Sequence, residues 1–108
     1  VNMFKGTESF KEQVKSNLIN LLLTKKGERV NEPNFGVGLK NLLFENVIDT
    51  ENLNQLIDDQ IKFYIPQISL TKTEVNLVED EHKLFIKINY NFLLDNSVDA
   101  IQLNFNNY

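Results

Sequence analysis

The sequence predicts an α+β domain: two main helices plus a short helix, packed on an antiparallel β-meander of about three strands. Three observations carry this. Apolar residues recur at steps of three and four from Phe10 to Leu22 and again from Leu53 to Tyr64, the spacing of one helix face. At Pro66 the period changes from 3.6 to 2. From Leu84 onward, Leu84, Ile86, Ile88, Tyr90, Phe92 and Leu94 alternate without a break. Helices first and strands afterwards is the pattern of α+β folds.

Each element has its own local reason. Ser9-Phe10-Lys11-Glu12 has the spacing of a capping box, so the first helix is expected to start at Ser9. Phe10, Val14, Leu18, Leu21 and Leu22 form its apolar stripe, opposite Lys11, Lys15 and Asn20. The helix closes at Leu23, where Lys25 and Lys26 suit the negative end of its dipole and Gly27 can turn left-handed. Pro33 forces Glu32 to be extended, Gly36 and Gly38 permit a tight bend, and Leu39, Leu42 and Leu43 predict a short helix from about Gly38 to Phe44. Asp49-Thr50-Glu51 signals the next helix start. Leu53, Leu56, Ile57, Ile61 and Tyr64 continue it until Pro66 stops it.

In the strand half, Ile68 and Leu70 alternate, and Val75 and Leu77 resume one residue out of phase, which predicts a bulge near Lys72. The next turn falls at Glu79-Asp80-Glu81-His82. The strand through Leu94 places Phe85, Lys87, Asn89 and Leu93 on its outward face. Asp95-Asn96-Ser97 turns the chain again, and Ile101, Leu103 and Phe105 make the third strand.

Composition bounds the function. At 108 residues the chain is expected to form one domain burying roughly two-thirds of its unfolded surface. With no Cys, it can build no disulfide, thiolate metal site or thiol nucleophile. Net charge is −4, and no basic cluster exceeds Lys25-Lys26, which argues against nucleic acid as a partner. No apolar run approaches the roughly 20 residues of a membrane span, and no segment resembles a secretory signal. The expectation is a soluble chain made in the cytoplasm.

Candidate chemistry is sparse. Phe35-Gly36-Val37-Gly38 is glycine-rich before a helix, but it lacks the third Gly and preceding strand of a dinucleotide fingerprint, so a structural turn is expected. His82, the only histidine, stands beside Glu79, Asp80 and Glu81, without a second His for zinc or the Asp/Asn alternation of a calcium loop. The fifteen acids lie on expected helix faces and turns with no Trp platform for a sugar, which disfavours glycoside hydrolysis. No catalytic, metal or cofactor residue is expected. The last strand, Val98 to Phe105, carries no Lys, Arg or Pro, so its edge is a candidate for pairing with another chain.

One stretch gives a resemblance. Leu21-Leu22-Leu23-Thr24, a basic pair, Gly27-Glu28-Arg29, Pro33, Phe35-Gly36, Gly38-Leu39 and Phe44-Glu45 together resemble the gene-25-like baseplate wedge family of contractile tails. Members occur in phage baseplates, bacteriocin-type and toxin-delivery particles, and type VI secretion systems. The resemblance implies a single baseplate domain over residues 1–108, and a structural sheath initiator rather than an enzyme, despite the family's "lysozyme-like" label. It implies partners in the sheath protein, the baseplate wedge proteins and the tail tube, in several copies around the tail axis, and assembly in the bacterial cytoplasm. It places partner contacts on Ile65, Pro66 and Gln67, where the family commonly has Glu-Pro-Arg. By β-strand augmentation it places further contacts on Val98, Ala100, Ile101, Gln102 and Leu103. The other readings to weigh are a peptidoglycan-cleaving tail lysozyme and a regulatory anti-adaptor sharing the fold.

Overall fold

The computed structural model describes residues 3–45, 50–78 and 83–106. Three helices come first, α1 (Met3–Leu23), α2 (Leu39–Glu45) and α3 (Thr50–Tyr64), followed by strands β1 (Ile68–Val78), β2 (Lys83–Phe92) and β3 (Val98–Asn106). The strands form one antiparallel sheet in the order β1-β2-β3. The fold is α+β, as the change of period predicts.

The core lies between the helices and one face of the sheet. Val14, Leu18, Leu21 and Leu22 of α1 meet Leu39 of α2, Leu53, Ile57 and Ile61 of α3, and Ile86, Ile88, Tyr90 and Phe92 of β2. Each such side chain contributes about 1.5–3 kcal/mol by leaving water. Burial alternates strictly along β2, since a strand turns successive side chains to opposite faces.

Two expectations need correction. The first helix starts at Met3, upstream of Ser9. With helical residues on its N-terminal side, the amides of Phe10 to Glu12 already have carbonyl acceptors one turn back, so a capping box there has no orphan donors to satisfy. The long alternating strand ends at Phe92, leaving Leu93 and Leu94 in the turn, with Leu94 69% exposed. Backbone bonds from Phe92 N–H to Ser97 C=O and from Asn96 N–H to Phe92 C=O close the hairpin there. Asn96 takes a left-handed φ of 60°, which asparagine tolerates.

The bulge appears where the phase slip predicts it, with the β1–β2 register shifting between Leu70 and Lys72. The turn Glu79-Asp80-Glu81-His82 and the helix-start residue Asp49 lie outside the described residues. Among the described residues, no helix is long and apolar enough to cross a membrane.

Candidate interaction surface

The glycine-rich reversal is spent on its own backbone. Gly36 N–H donates to Gln60 Oε1 at 3.0 Å, Val37 N–H to Leu21 C=O at 2.9 Å, and Gly38 N–H to Thr24 C=O at 2.8 Å. The Val37 and Gly38 donors satisfy carbonyls at the end of α1 that have no helical partner, and Gly36 is taken by α3, so none of the three is left to cradle a phosphate. Gly36 sits at φ 119°, and a Cβ there would collide with the Thr24 carbonyl. Gly27, also left-handed, donates to Pro33 C=O at 2.9 Å.

Around that turn, Glu28 N–H donates to Lys25 C=O, and the Arg29 guanidinium stacks 3.7 Å over Phe35 while pairing with Glu32 at 3.0 Å. Phe35 packs edge-on to Tyr64. Leu39 is buried at the start of α2, whose last residues are Phe44 and Glu45. Gln60 also donates to Asn34 C=O, tying α3 to the reversal on both sides of its amide. The stretch that carries the family resemblance is therefore a packing device.

The helix-to-strand junction is half buried and half presented. Ile65 is buried and its N–H still bonds Ile61 C=O at 2.8 Å, as a last helical turn would. Pro66 and Gln67 are exposed, and Phe63, one turn back, is 76% exposed. Gln67 C=O accepts from Leu93 N–H at 3.0 Å, which brings the junction beside the β2–β3 turn.

That turn is held to α1 by charge. Lys11 Nζ lies 2.6 Å from Asp95 Oδ2 and 3.0 Å from Ser97 Oγ, and 5.3 Å over the Phe92 ring. The Lys11 hydrogen bond, then those from Ser97, hold the Asp95 carboxyl well below the usual carboxylate range. Sequence periodicity assigns Lys11 to the solvated face of α1; only the fold brings it to a residue 84 positions away.

The two rims of the sheet differ from its centre in having no strand beyond them among the described residues. The hairpin bond at Phe92, carried through the one-for-one β2–β3 register, fixes which groups of β3 are spent. Asp99, Ile101, Leu103 and Phe105 turn N–H and C=O toward β2, and Val98, Ala100, Gln102 and Asn104 turn theirs outward. Side chains follow the same alternation. Ile101 is buried and Leu103 packs against the core, while Gln102 and Asn104 are exposed and Val98 is 82% exposed. The five β3 positions singled out by sequence thus divide. Val98, Ala100 and Gln102 turn backbone groups outward, with the Ala100 N–H bonded to Asp99 Oδ1 at 2.8 Å, and Ile101 and Leu103 hold the strand to its own sheet.

The outward sheet face is polar, with Lys72, Glu74, Lys87 and Asn89 around Phe85. Asn89 Nδ2 donates to Glu74 Oε2 at 3.2 Å, and that bond, then the Lys72 charge, lowers the Glu74 pKa. Among the described residues the displaced carboxyls, Glu74 and Asp95, both move down, the opposite of what a general acid requires.

Comparison with known proteins agrees with the arrangement of elements. The family profile described as baseplate wedge protein gp25 matches residues 8–97. The chain belongs to this family. It thereby joins the structural proteins of tail baseplates. The baseplate wedge protein gp25 of Enterobacteria phage T4 is 29% identical over 92 residues, covering 83% of this chain and 69% of the phage protein. A crystal structure from Geobacter sulfurreducens, of a protein named as a tail lysozyme, superposes with a TM-score of 0.72 at 25% identity, over 89% of each chain. A component of the six-fold symmetrised anti-feeding prophage baseplate gives 0.55 at 22% identity, over 87% of this chain and 66% of its own, a likeness of fold. The family match ends at Ser97, one residue before β3.

Proposed function

We propose that this baseplate protein seeds the tail sheath by lending the outer edge of β3 to a strand of the first sheath subunit. The observation that carries this reading is the outward row of backbone groups at Val98, Gln102 and Asn104, with the C=O of Ala100, on a regular strand with no Lys, Arg or Pro. Backbone pairing suits the task, because several hydrogen bonds in parallel share a mechanical load. In this reading the Ile65-Pro66-Gln67 junction, with Phe63 beside it, seats the domain on the wedge, and copies repeated around the tail axis set the pitch of the sheath.

The test uses the alternation. Gln102→Pro removes an outward N–H that the protein's own sheet does not use, so the fold should persist, whereas proline at Ile101 would strike the core and the β2 pairing. With circular dichroism unchanged, particles carrying Gln102→Pro should show tube and baseplate but no sheath by negative-stain microscopy. Full-length sheath on those particles would overturn the edge-pairing role. Sustained release of reducing sugar from peptidoglycan by the purified protein, lost on replacing one carboxylate, would instead favour the lysozyme reading.

A further inference from the structure

An open edge that pairs with a sheath strand must also avoid pairing with itself. We propose, resting on the edge reading above, that Asp99 is a guard that keeps β3 from joining the β3 of a second copy before the sheath strand arrives.

The geometry is specific. Asp99 lies opposite Tyr90, whose ring is wholly buried and whose hydroxyl donates to Asp99 Oδ2 at 3.0 Å. The other oxygen, Oδ1, accepts the N–H of Ala100 at 2.8 Å. That N–H is one of the outward donors of the edge. The carboxylate therefore occupies a donor that an incoming strand needs, and places negative charge where the incoming carbonyl oxygen would sit. Charged side chains turned inward at an edge are a known means of discouraging edge-to-edge association. Between two copies the obstacle is doubled, since each brings its own Asp99 and β3 has no cation to neutralise either. Tyr90 fixes the guard in place: burial, then the bond to Asp99, pushes the phenol pKa up, so it remains a donor.

Asp99→Ala frees the Ala100 N–H and removes the charge, and Asp99→Asn removes the charge alone. Sedimentation velocity over a concentration series should show the unmodified chain as a monomer. Asp99→Ala should self-associate at least ~10-fold more tightly, the scale of one recovered hydrogen bond plus relieved repulsion, with Asp99→Asn in between. Adding Gln102→Pro to Asp99→Ala should return the monomer, which assigns the contact to the β3 edge. The guard is overturned if Asp99→Asn, and Asp99→Ala where it folds, match the unmodified chain, or if the unmodified chain already pairs through β3. The two proposals fail separately. Normal sheath on Gln102→Pro particles together with edge dimers of Asp99→Ala would sink the sheath role and leave the guard. Absent sheath with no such dimers would do the reverse.

Discussion

The two rims of the sheet are built on opposite plans. β1 is bulged at Thr71, carries Lys72 paired with Glu74 at 3.6 Å beside the bulge, and has α3 packed along it. β3 runs in unbroken register from Val98 to Asn106, has no cation, and among the described residues no helix packs along it comparably. A bulge and a lysine are devices that spoil a strand as a template, because they break the spacing of the backbone groups and place a charge beside them. The protein has closed one rim and left the other serviceable. The difference is the strongest internal argument for placing the proposed partner strand on β3.

Deleting Thr71 is the sharpest way to break that contrast. It would restore continuous alternation through Leu70, Lys72 and Thr73 and give β1 an even edge. We expect the variant to keep its circular dichroism but to self-associate on the order of tenfold more tightly, by sedimentation, through a rim that is inert in the parent. A monomer with an intact fold would mean that α3 or Lys72, and not the bulge, closes this side.

A smaller effect lies on a single rung. Thr73 and Ile101 flank Ile88 from the two sides, both turned into the core, yet β1 supplies a hydroxyl where β3 supplies an aliphatic group. Thr73 Oγ1 is buried without a hydrogen-bond partner. Thr73→Val should therefore stabilise the domain by about 1 kcal/mol, by removing the cost of desolvating an unpaired hydroxyl. Urea unfolding would measure it; a loss of stability would show that the hydroxyl is satisfied in solution.

Much of this was legible in the residues. The out-of-phase pair Leu70 and Val75 disclosed the bulge, and the alternation from Leu84 to Phe92 disclosed which face is buried, because period alone decides both. The helix start at Ser9 and the strand end at Leu94 were misread for a common reason. A capping signature or an apolar residue says what a position tolerates, while its role depends on whether neighbouring backbone groups are already bonded. The clasp of Lys11 on Asp95 and the contact of Asp99 with both Tyr90 and Ala100 depend on chain register and on side-chain direction, which no local pattern encodes. At the proposed site, the lack of Lys, Arg and Pro in β3 was visible; the division between Ile101 and Leu103 facing the core and Ala100 and Gln102 facing out was visible only as a period, without its direction.

The smallest expected effect concerns how the helices are fastened to each rim. α3 grips β1 by packing, whereas α1 reaches the β3 end through the exposed ion pair of Lys11 with Asp95. Asp95 has a depressed pKa in the folded state, so its contribution is fully present above the ordinary carboxylate pKa of about 3.9 and is lost as pH falls through the acid range. An exposed pair is screened by water and salt, so the effect should be modest and should shrink at about 1 M salt. Asp95→Asn should lower the melting temperature slightly at pH 7, and the gap to the parent should narrow as pH drops below about 5. Lys11→Gln should reproduce that narrowing. If the gap stays constant with pH, the Asp95 carboxylate does not fasten the turn, and the backbone closure of the hairpin at Phe92 holds it instead. Both rims would then be fastened without charge, and the contrast between them would reside in the strands alone.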